Sequence, residues 1–345
     1  MLAPFLSCLL SLAPAQLPGP TLFGSDVAAN ELGEIDRATA AWTTIGPQGV
    51  GFAINGLAYD PRNDRLYGIA PNDQRLYLLD MDTGAATPIG ASGATGFANA
   101  NALAYDALNS LMYSADLNTN TLFRVDPATS TGIPVGVIQG AADIEGLGYD
   151  PERNLLYGLD DRDDRIVRIH PRFVTTAHVV DLPQGFLWRG LDYDTEQNVL
   201  WATTVNPGGL YRVDPLVPSV TFVGVPRGFV QGVSFADRPG LRLEAGPLVA
   251  GAPGMLRCSN GNSGDPIRFV GSLTGGGPTL TQRFGAVWLT LPFLELGTVP
   301  TDAGGVASLG GPIPASLSGS PVWFQAGGMV SGQFERSNGL AAMIL

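Results

Sequence analysis

Gly56-Leu57-Ala58-Tyr59-Asp60 is followed along the chain by Ala102-Leu103-Ala104-Tyr105-Asp106, Gly146-Leu147-Gly148-Tyr149-Asp150, Gly190-Leu191-Asp192-Tyr193-Asp194 and Gly232-Val233-Ser234-Phe235-Ala236. The copies stand 46, 44, 44 and 42 residues apart, a period that fits one four-stranded propeller blade. After each of the first four copies a second run carries an aromatic residue at Tyr67, Tyr113, Tyr157 or Trp201. A third contains Leu76-Tyr77, Leu122-Phe123, Ile166-Val167 or Leu210-Tyr211, and a fourth ends near Gly90, Gly136, Val180 or Gly224. Each run is short, alternating and bounded by Asp-Pro, Asn-Asp, Thr-Gly or Pro-Gly turn chemistry, which predicts a β-meander. Pro88 and Pro134 fall in the fourth run, so that run is expected at a sheet edge. No stretch has the periodicity of an amphipathic helix.

The fifth copy has no second, third or fourth run behind it, because the sequence changes character at Arg238-Pro239-Gly240. The missing runs stand at the other end of the repeat region. Thr21 to Asp26, Glu31 to Asp36 and Ala41 to Gly46 align with the second, third and fourth runs of the other units. The expected fold is therefore all-β, a five-bladed β-propeller whose last blade is completed by the N-terminal strands, a closure that removes free sheet edges.

The phrases Gly-Leu-x-Tyr-Asp, Leu-Tyr-Gly and Leu-Asp-x-x-Thr-Gly make this region, about residues 20 to 237, resemble the bacterial extracytoplasmic propellers with YVTN-like and NHL-like repeats. Those motifs are structural, so the resemblance implies a fold and little about activity. From about Leu241 the chain becomes rich in Gly, Pro, Ser and Leu, and segments such as Ala286 to Leu291 and Pro321 to Ala326 alternate like strands. A small β-sandwich is expected there. Thr301-Asp302-Ala303-Gly304-Gly305, Pro312-Ile313-Pro314, Leu317-Ser318-Gly319, Gln325 and Ser337-Asn338 resemble a C-terminal module of secreted proteins from planctomycete-type bacteria. That resemblance implies an accessory role in export, attachment or stability.

The first fifteen residues carry no charged side chain, hold the apolar run Leu2 to Leu12 and end in Ala13-Pro14-Ala15, the small-x-small pattern of a cleaved signal peptide. The expected organisation is a signal peptide at 1–15, a propeller at 16–239 and a sandwich-like domain at 240–345. The expected destination is outside the cytoplasm, whether secreted, periplasmic or at the cell surface. The lipoprotein alternative at Cys8 has a poor first residue in Phe5. Once the leader is gone Cys258 is the only cysteine, and no internal disulfide can form. No later run is apolar for long enough to span a bilayer.

All 19 basic residues are arginine, against 31 acidic ones. Acids and arginines balance from Gly240 onward, so the net charge of −12 belongs to the repeat region. A surface of that sign repels nucleic acid and anionic membrane. An extracellular protein, a glycan or another extracellular ligand remains as a partner, and a monomer is expected.

Turns alternate between the two ends of a meander, which sorts the loops by face. Asp60-Pro61, Asp150-Pro151 and Asp82-Thr83-Gly84 share one face and are what tight turns require. The opposite face gathers the residue before each copy of the repeat phrase: Asn55, Asn101, Glu145, Arg189 and Gln231. These five are expected to ring the mouth of the central channel, where propellers bind ligands. Asp116 and Asp160, at the ends of second strands, are expected outside them. Two roles compete for the ring: a ligand site, or hydration of the channel with an ion pair between Glu145 and Arg189.

No cofactor is expected, and calcium is the one ion the acidic turns suggest. The run Asp160-Asp161-Arg162-Asp163-Asp164 lacks the Gly and the distal Glu of an EF-hand loop and reads as an ordinary turn. Phe97, Phe186, Trp188 and Phe229 offer stacking for a sugar or packing between blades, and packing is expected. His170 aligns with Asp36, Asp80, Asp126 and Asp214 on the turn face, and His178 falls in an outer strand. No Ser-His-Asp set, His-Glu-x-x-His motif, Gly-rich phosphate loop or Cys-His pair is present. A non-catalytic binding or interaction propeller is the leading function. A carboxylate-dependent enzyme of glycosidase or calcium-dependent lactonase type is the second, and a structural cell-surface protein the third.

Overall fold

The computed structural model describes residues 21–345 apart from 239, 278, 282–284 and 331. The expected signal peptide and Cys8 lie outside the described residues. The described residues are all-β and propeller-like, with five four-stranded antiparallel sheets, further sheets behind them and one 3-10 turn, at Ala315–Leu317.

The first sheet runs in chain order through Gly56–Asp60, Arg65–Ala70, Arg75–Leu79 and Ala86–Ile89. The second uses Ala104–Asp106, Leu111–Asp116, Thr121–Val125 and Gly132–Val137, and the third Ile144–Asp150, Leu155–Asp160, Arg165–Ile169 and Thr176–Asp181. The fourth uses Trp188–Asp194, Val199–Val205, Gly208–Asp214 and Ser219–Gly224. A further sheet joins Val230–Ala236 to Thr21–Asp26, with Glu31–Ile35 and Trp42–Pro47 beyond it. Its central pairing sets Leu22 opposite Phe235 and Gly24 opposite Val233. The five strands that hold the repeat phrase, in whole or in part, touch in sequence, and Val230–Ala236 also touches Gly56–Asp60.

The repeat phrase has a physical reason at each position. A Cβ on Gly146 would lie 2.6 Å from the backbone nitrogen of Leu191, and one on Gly232 would lie 2.7 Å from the carbonyl of Asn55. Neighbouring inner strands approach so closely there that no side chain fits. The Leu and Tyr are buried between sheets. Tyr59, Tyr149 and Tyr193 donate their hydroxyls to Asp64, Asn154 and Asn198, each five residues on. Those three acceptors have φ near +50°, the left-handed turn conformation that Asn and Asp tolerate best. The closing Asp is buried and accepts the amides two and three residues on, as Asp60 does from Arg62 and Asn63. Pro88 and Pro134 lie on the outermost strands opposite Tyr77 and Phe123, where a missing N–H costs no sheet bond.

The core lies between sheets rather than at one centre. Tyr157, Leu159 and Ile166 of the third sheet pack on Leu191, Tyr193 and Leu200 of the fourth. Burying side chains of this size contributes roughly 1.5–3 kcal/mol each.

The C-terminal strands form two larger sheets and a two-stranded one that pairs Thr279–Thr281 with Gly285–Val287. One of the larger sheets orders Arg242–Ala245, Pro253–Ser259 and Ala307–Pro312. The other orders Leu294–Pro300, Pro266–Ser272 and Pro321–Val330, with Gln333–Arg336 and Leu340–Met343 both pairing with Pro321–Val330. The strand expected over Ala286 to Leu291 is only the short Gly285–Val287, because Thr279 and Thr290 form loop bonds around it. The strand expected at Pro321 to Ala326 continues to Val330. These sheets meet the turn face of the repeat region. Arg62 donates to the Gly277 carbonyl at 2.8 Å and lies over the Trp288 ring at 5.7 Å, and Arg336 pairs with Asp237 at 3.0 Å.

Candidate functional site

Because the inner strands touch at their glycines, the residue just before each repeat phrase is held at the same level around one axis. Four of the five predicted ring residues are joined, three by hydrogen bonds and the fourth by an ion pair. Asn55 donates its amide to Asn101 Oδ1 at 3.0 Å, and Asn101 donates to Glu145 Oε2 at 2.8 Å. Arg189 Nη1 reaches Glu145 Oε1 at 3.3 Å, so Glu145 is approached from both sides. Gln231 lines the same small void as Asn55, Asn101 and Glu145. That void measures only about 10 Å³, close to the volume one water needs.

The sequence reading missed two carboxylates at this place. Arg189 pairs more closely with Asp161, at 2.8 Å, than with Glu145, and Asp161 also accepts the backbone amide of Trp188 at 2.7 Å. Oxygen atoms of Asp143, Glu145 and Asp161 all lie within 4.8 Å of one another. Asp143 occupies a left-handed backbone conformation at φ 60°. Its position two residues before Glu145 was the available signal, since both then stand at one strand start. Asp161 sat inside an acidic run that turn chemistry alone explained. Burial pushes the Glu145 carboxyl above its ordinary range, and Asp143 and Asp161 add to that, while Arg189 and Asn101 pull it back. Three carboxylates around one guanidinium leave this spot net negative, and the same oxygens are close enough to share a cation.

Asp116 and Asp160 are committed to their own loops. Asp116 accepts the amide of Asn99 and both the amide and hydroxyl of Thr119. Asp160 pairs with Arg165 at 3.0 Å, and burial raises its carboxyl despite that partner. The four aromatics divide: Phe97 stacks on Phe123 at 3.9 Å, and Phe186 and fully buried Trp188 pack with Tyr211, while Phe229 is exposed.

His170 does what aspartate does elsewhere in the repeat. Asp36, Asp80 and Asp214 accept the amides two and three residues ahead, and His170 Nδ1 accepts those of Arg172 and Phe173. An acceptor at Nδ1 requires the neutral ring with its proton on Nε2. His178 is exposed on its outer strand, 3.6 Å from Asp181.

The turn face carries a larger feature, an open cleft of about 810 Å³ between the strands around Thr21–Asp36 and the fourth sheet. Glu34, Arg37, Gln197, Trp201 and Arg212 line it, and Arg37 is tied to Asp194 and Glu196 at 2.8 and 2.9 Å.

A family model described as "Repeat of unknown function (DUF6923)" matches residues 28–190. Comparison with curated proteins finds no significant match. Among solved structures, a chain of a nidogen/laminin complex aligns at 12% identity with a TM-score of 0.47, over 63% of this chain and 98% of that one. XC5397 from Xanthomonas campestris, described as a gluconolactonase, aligns at 17% identity and 0.44, over 69% and 81%. A structural genomics protein of unknown function from Bacteroides thetaiotaomicron VPI-5482 aligns at 15% and 0.47, over 65% and 66%.

Proposed function

We propose that the chain is an exported binding or interaction protein that presents the channel-mouth face of a five-bladed propeller to an extracellular protein or glycan. The closing blade is shared between the N-terminal strands and Val230–Ala236, and a C-terminal sandwich domain follows. The five four-stranded sheets and the cyclic contacts of their inner strands support the blade count.

The observation that carries the binding role is the network of Asn55, Asn101, Glu145, Arg189, Asp143 and Asp161 at the mouth of a channel that is almost filled. A void of about 10 Å³ admits no sugar ring or metabolite. Recognition then takes place on the face, with the acid-rich network as its polar centre and positively charged or polyhydroxylated groups as the matching chemistry.

The carboxylate-enzyme alternative gains one observation, that Glu145 has acidic neighbours within 4.8 Å, near the spacing of about 5–5.5 Å between the two acids of a retaining glycosidase. Arg189 bridging Glu145 and Asp161 counts against it, because a general acid needs its proton free to transfer.

The test is capture of partners by the exported protein on a glycan array and from extracellular protein, with and without calcium. Binding is expected to be lost in a Glu145→Ala, Asp161→Ala double variant and kept in Arg212→Ala at the cleft. The reverse pattern would move the site to the turn face. Turnover of a bound glycan that ceases in Glu145→Gln would favour the enzyme. The exported form is expected to begin at Gln16, which N-terminal sequencing reads directly.

A further inference from the structure

The two larger C-terminal sheets enclose a cavity of about 350 Å³. In such a layer pair the inward positions of facing strands are normally filled by side chains. Along Pro253–Ser259 and Ala307–Pro312 the inward pairs are Cys258 with Ala307, Leu256 with Leu309, and Gly254 with Gly311. The last pair carries no side chain, and a Cβ on Gly311 would meet nothing within 4 Å. A Cβ on Gly254 would lie 2.7 Å from Ile313 Cδ1, so the free space lies over exposed Gly311, at the open end of the cavity.

Its walls are hydrocarbon. Leu248, Leu256, Val322, Phe324 and Ile344 form the buried side, and exposed Leu296 stands at the opening. Among the described residues no charged side chain lines it. The hydroxyl of Ser272 is already given to the Thr290 carbonyl at 2.6 Å. An apolar cavity of about 150 Å³ accepts a benzene molecule and stays dry otherwise, and this one is more than twice that volume.

We propose that this cavity is a binding site for a single hydrocarbon chain, the acyl or alkyl tail of an amphiphile whose polar head stays outside. With a lining that is mostly hydrocarbon and no charged side chain among its described residues, apolar contact selects the occupant. At roughly 30 Å³ for a water-sized group, the space takes about twelve such groups, the length of a medium acyl chain. A free fatty acid and the tail of a membrane lipid share this chemistry.

The experiment titrates the full-length exported protein with dansyl-labelled undecanoic acid and displaces the probe with decanoate. In parallel, the protein is floated with phosphatidylcholine vesicles. Saturable fluorescence enhancement reversed by decanoate is expected. A free acid as natural source predicts binding without vesicle retention, and a lipid tail predicts retention as well. Gly311→Leu fills the cavity and is expected to weaken the probe at least tenfold with an unchanged or higher Tm. Leu296→Glu, an exposed position where folding tolerates a charge, is expected to weaken it too. Absence of saturable binding by the native protein, or equal binding by the native protein and both variants, overturns the proposal.

Discussion

Replacing Arg189 by Leu removes the only guanidinium within ion-pair distance of Glu145 and Asp161 among the described residues, and the structure sets the size of the effect. The arginine lies 2.8 Å from Asp161 and 3.3 Å from Glu145, with side-chain exposures of 19%, 11% and 8%. Exposed ion pairs contribute about 0–1 kcal/mol, while stripping one partner from a buried pair costs about 3–5 kcal/mol. With exposures this low the expected cost is about 2–4 kcal/mol at pH 8. The pH dependence follows from Glu145. Burial already raises its carboxyl, with Asp143 and Asp161 adding to the shift. A carboxyl raised in the folded state contributes stability below its unfolded pKa and loses that contribution as pH rises through the folded value. Without Arg189 the folded value climbs further, so the variant should lose more against native protein at pH 8 than at pH 4.5. Urea denaturation at both pH values measures this, and Glu145→Gln in the Arg189→Leu background should recover a large part of the loss at pH 8. A cost below about 1 kcal/mol, equal at both pH values, would refute the idea that the mouth is a partly buried charge network.

Three further outcomes are expected. Deleting Thr21–Pro47 strips three of four strands from the sheet completed by Val230–Ala236, so the deleted chain should show no cooperative melt by circular dichroism. The Asp192 carboxyl, pushed up to about 7 by burial although three donors (Tyr193 N, Phe235 N and the Ser234 hydroxyl) favour its charged form, should make stability fall as pH rises through about 7. Asp192→Ala, which installs the residue of Ala58 and Ala104, should flatten the Tm profile over that range. Cys258 is fully buried and its thiol is pushed up to about 12 by burial, so Ellman's reagent should label it only in denaturant, and labelling at native pH 8 would mean that the sheet opens there.

How much was legible in the sequence depended on whether a residue served the backbone or another side chain. Gly146, Tyr149, Asp150 and Asn154 each answer to a local demand that recurs in most of the repeats: close strand approach, a turn in the left-handed region, a buried acceptor for two amides. Repetition exposes such demands even in one sequence, because independent copies align. The same logic placed His170 among the aspartates, and the bonds from Arg172 and Phe173 to Nδ1 show that the imidazole fills the identical acceptor role. His170→Asp should therefore raise Tm slightly, since aspartate accepts the same amides without depending on a neutral ring.

The mouth network was legible only in part, because its members come from six separate stretches of the chain and chiefly satisfy one another rather than the backbone. Alignment found Asn55, Asn101, Glu145, Arg189 and Gln231, since those stand at equivalent positions. It passed over Asp143 and Asp161, which have no acidic counterparts in the other repeats at Ala53, Asn99, Leu187 or Phe229 and at Val27, Pro71, Leu117 or Val205. That asymmetry is itself informative. A residue demanded by the fold recurs, and these two carboxylates do not. They gather with Glu145 where burial and mutual repulsion oppose them, with a single arginine in compensation. The third sheet thus carries an electrostatic cost that no turn or strand requires, and a matching cation or basic group on a partner would relieve it. Binding of such a partner should then tighten as pH rises and Glu145 loses its proton. Titration calorimetry between pH 5 and 8 with the captured partner measures this, and an affinity that weakens over that range would remove the carboxylates from the interface.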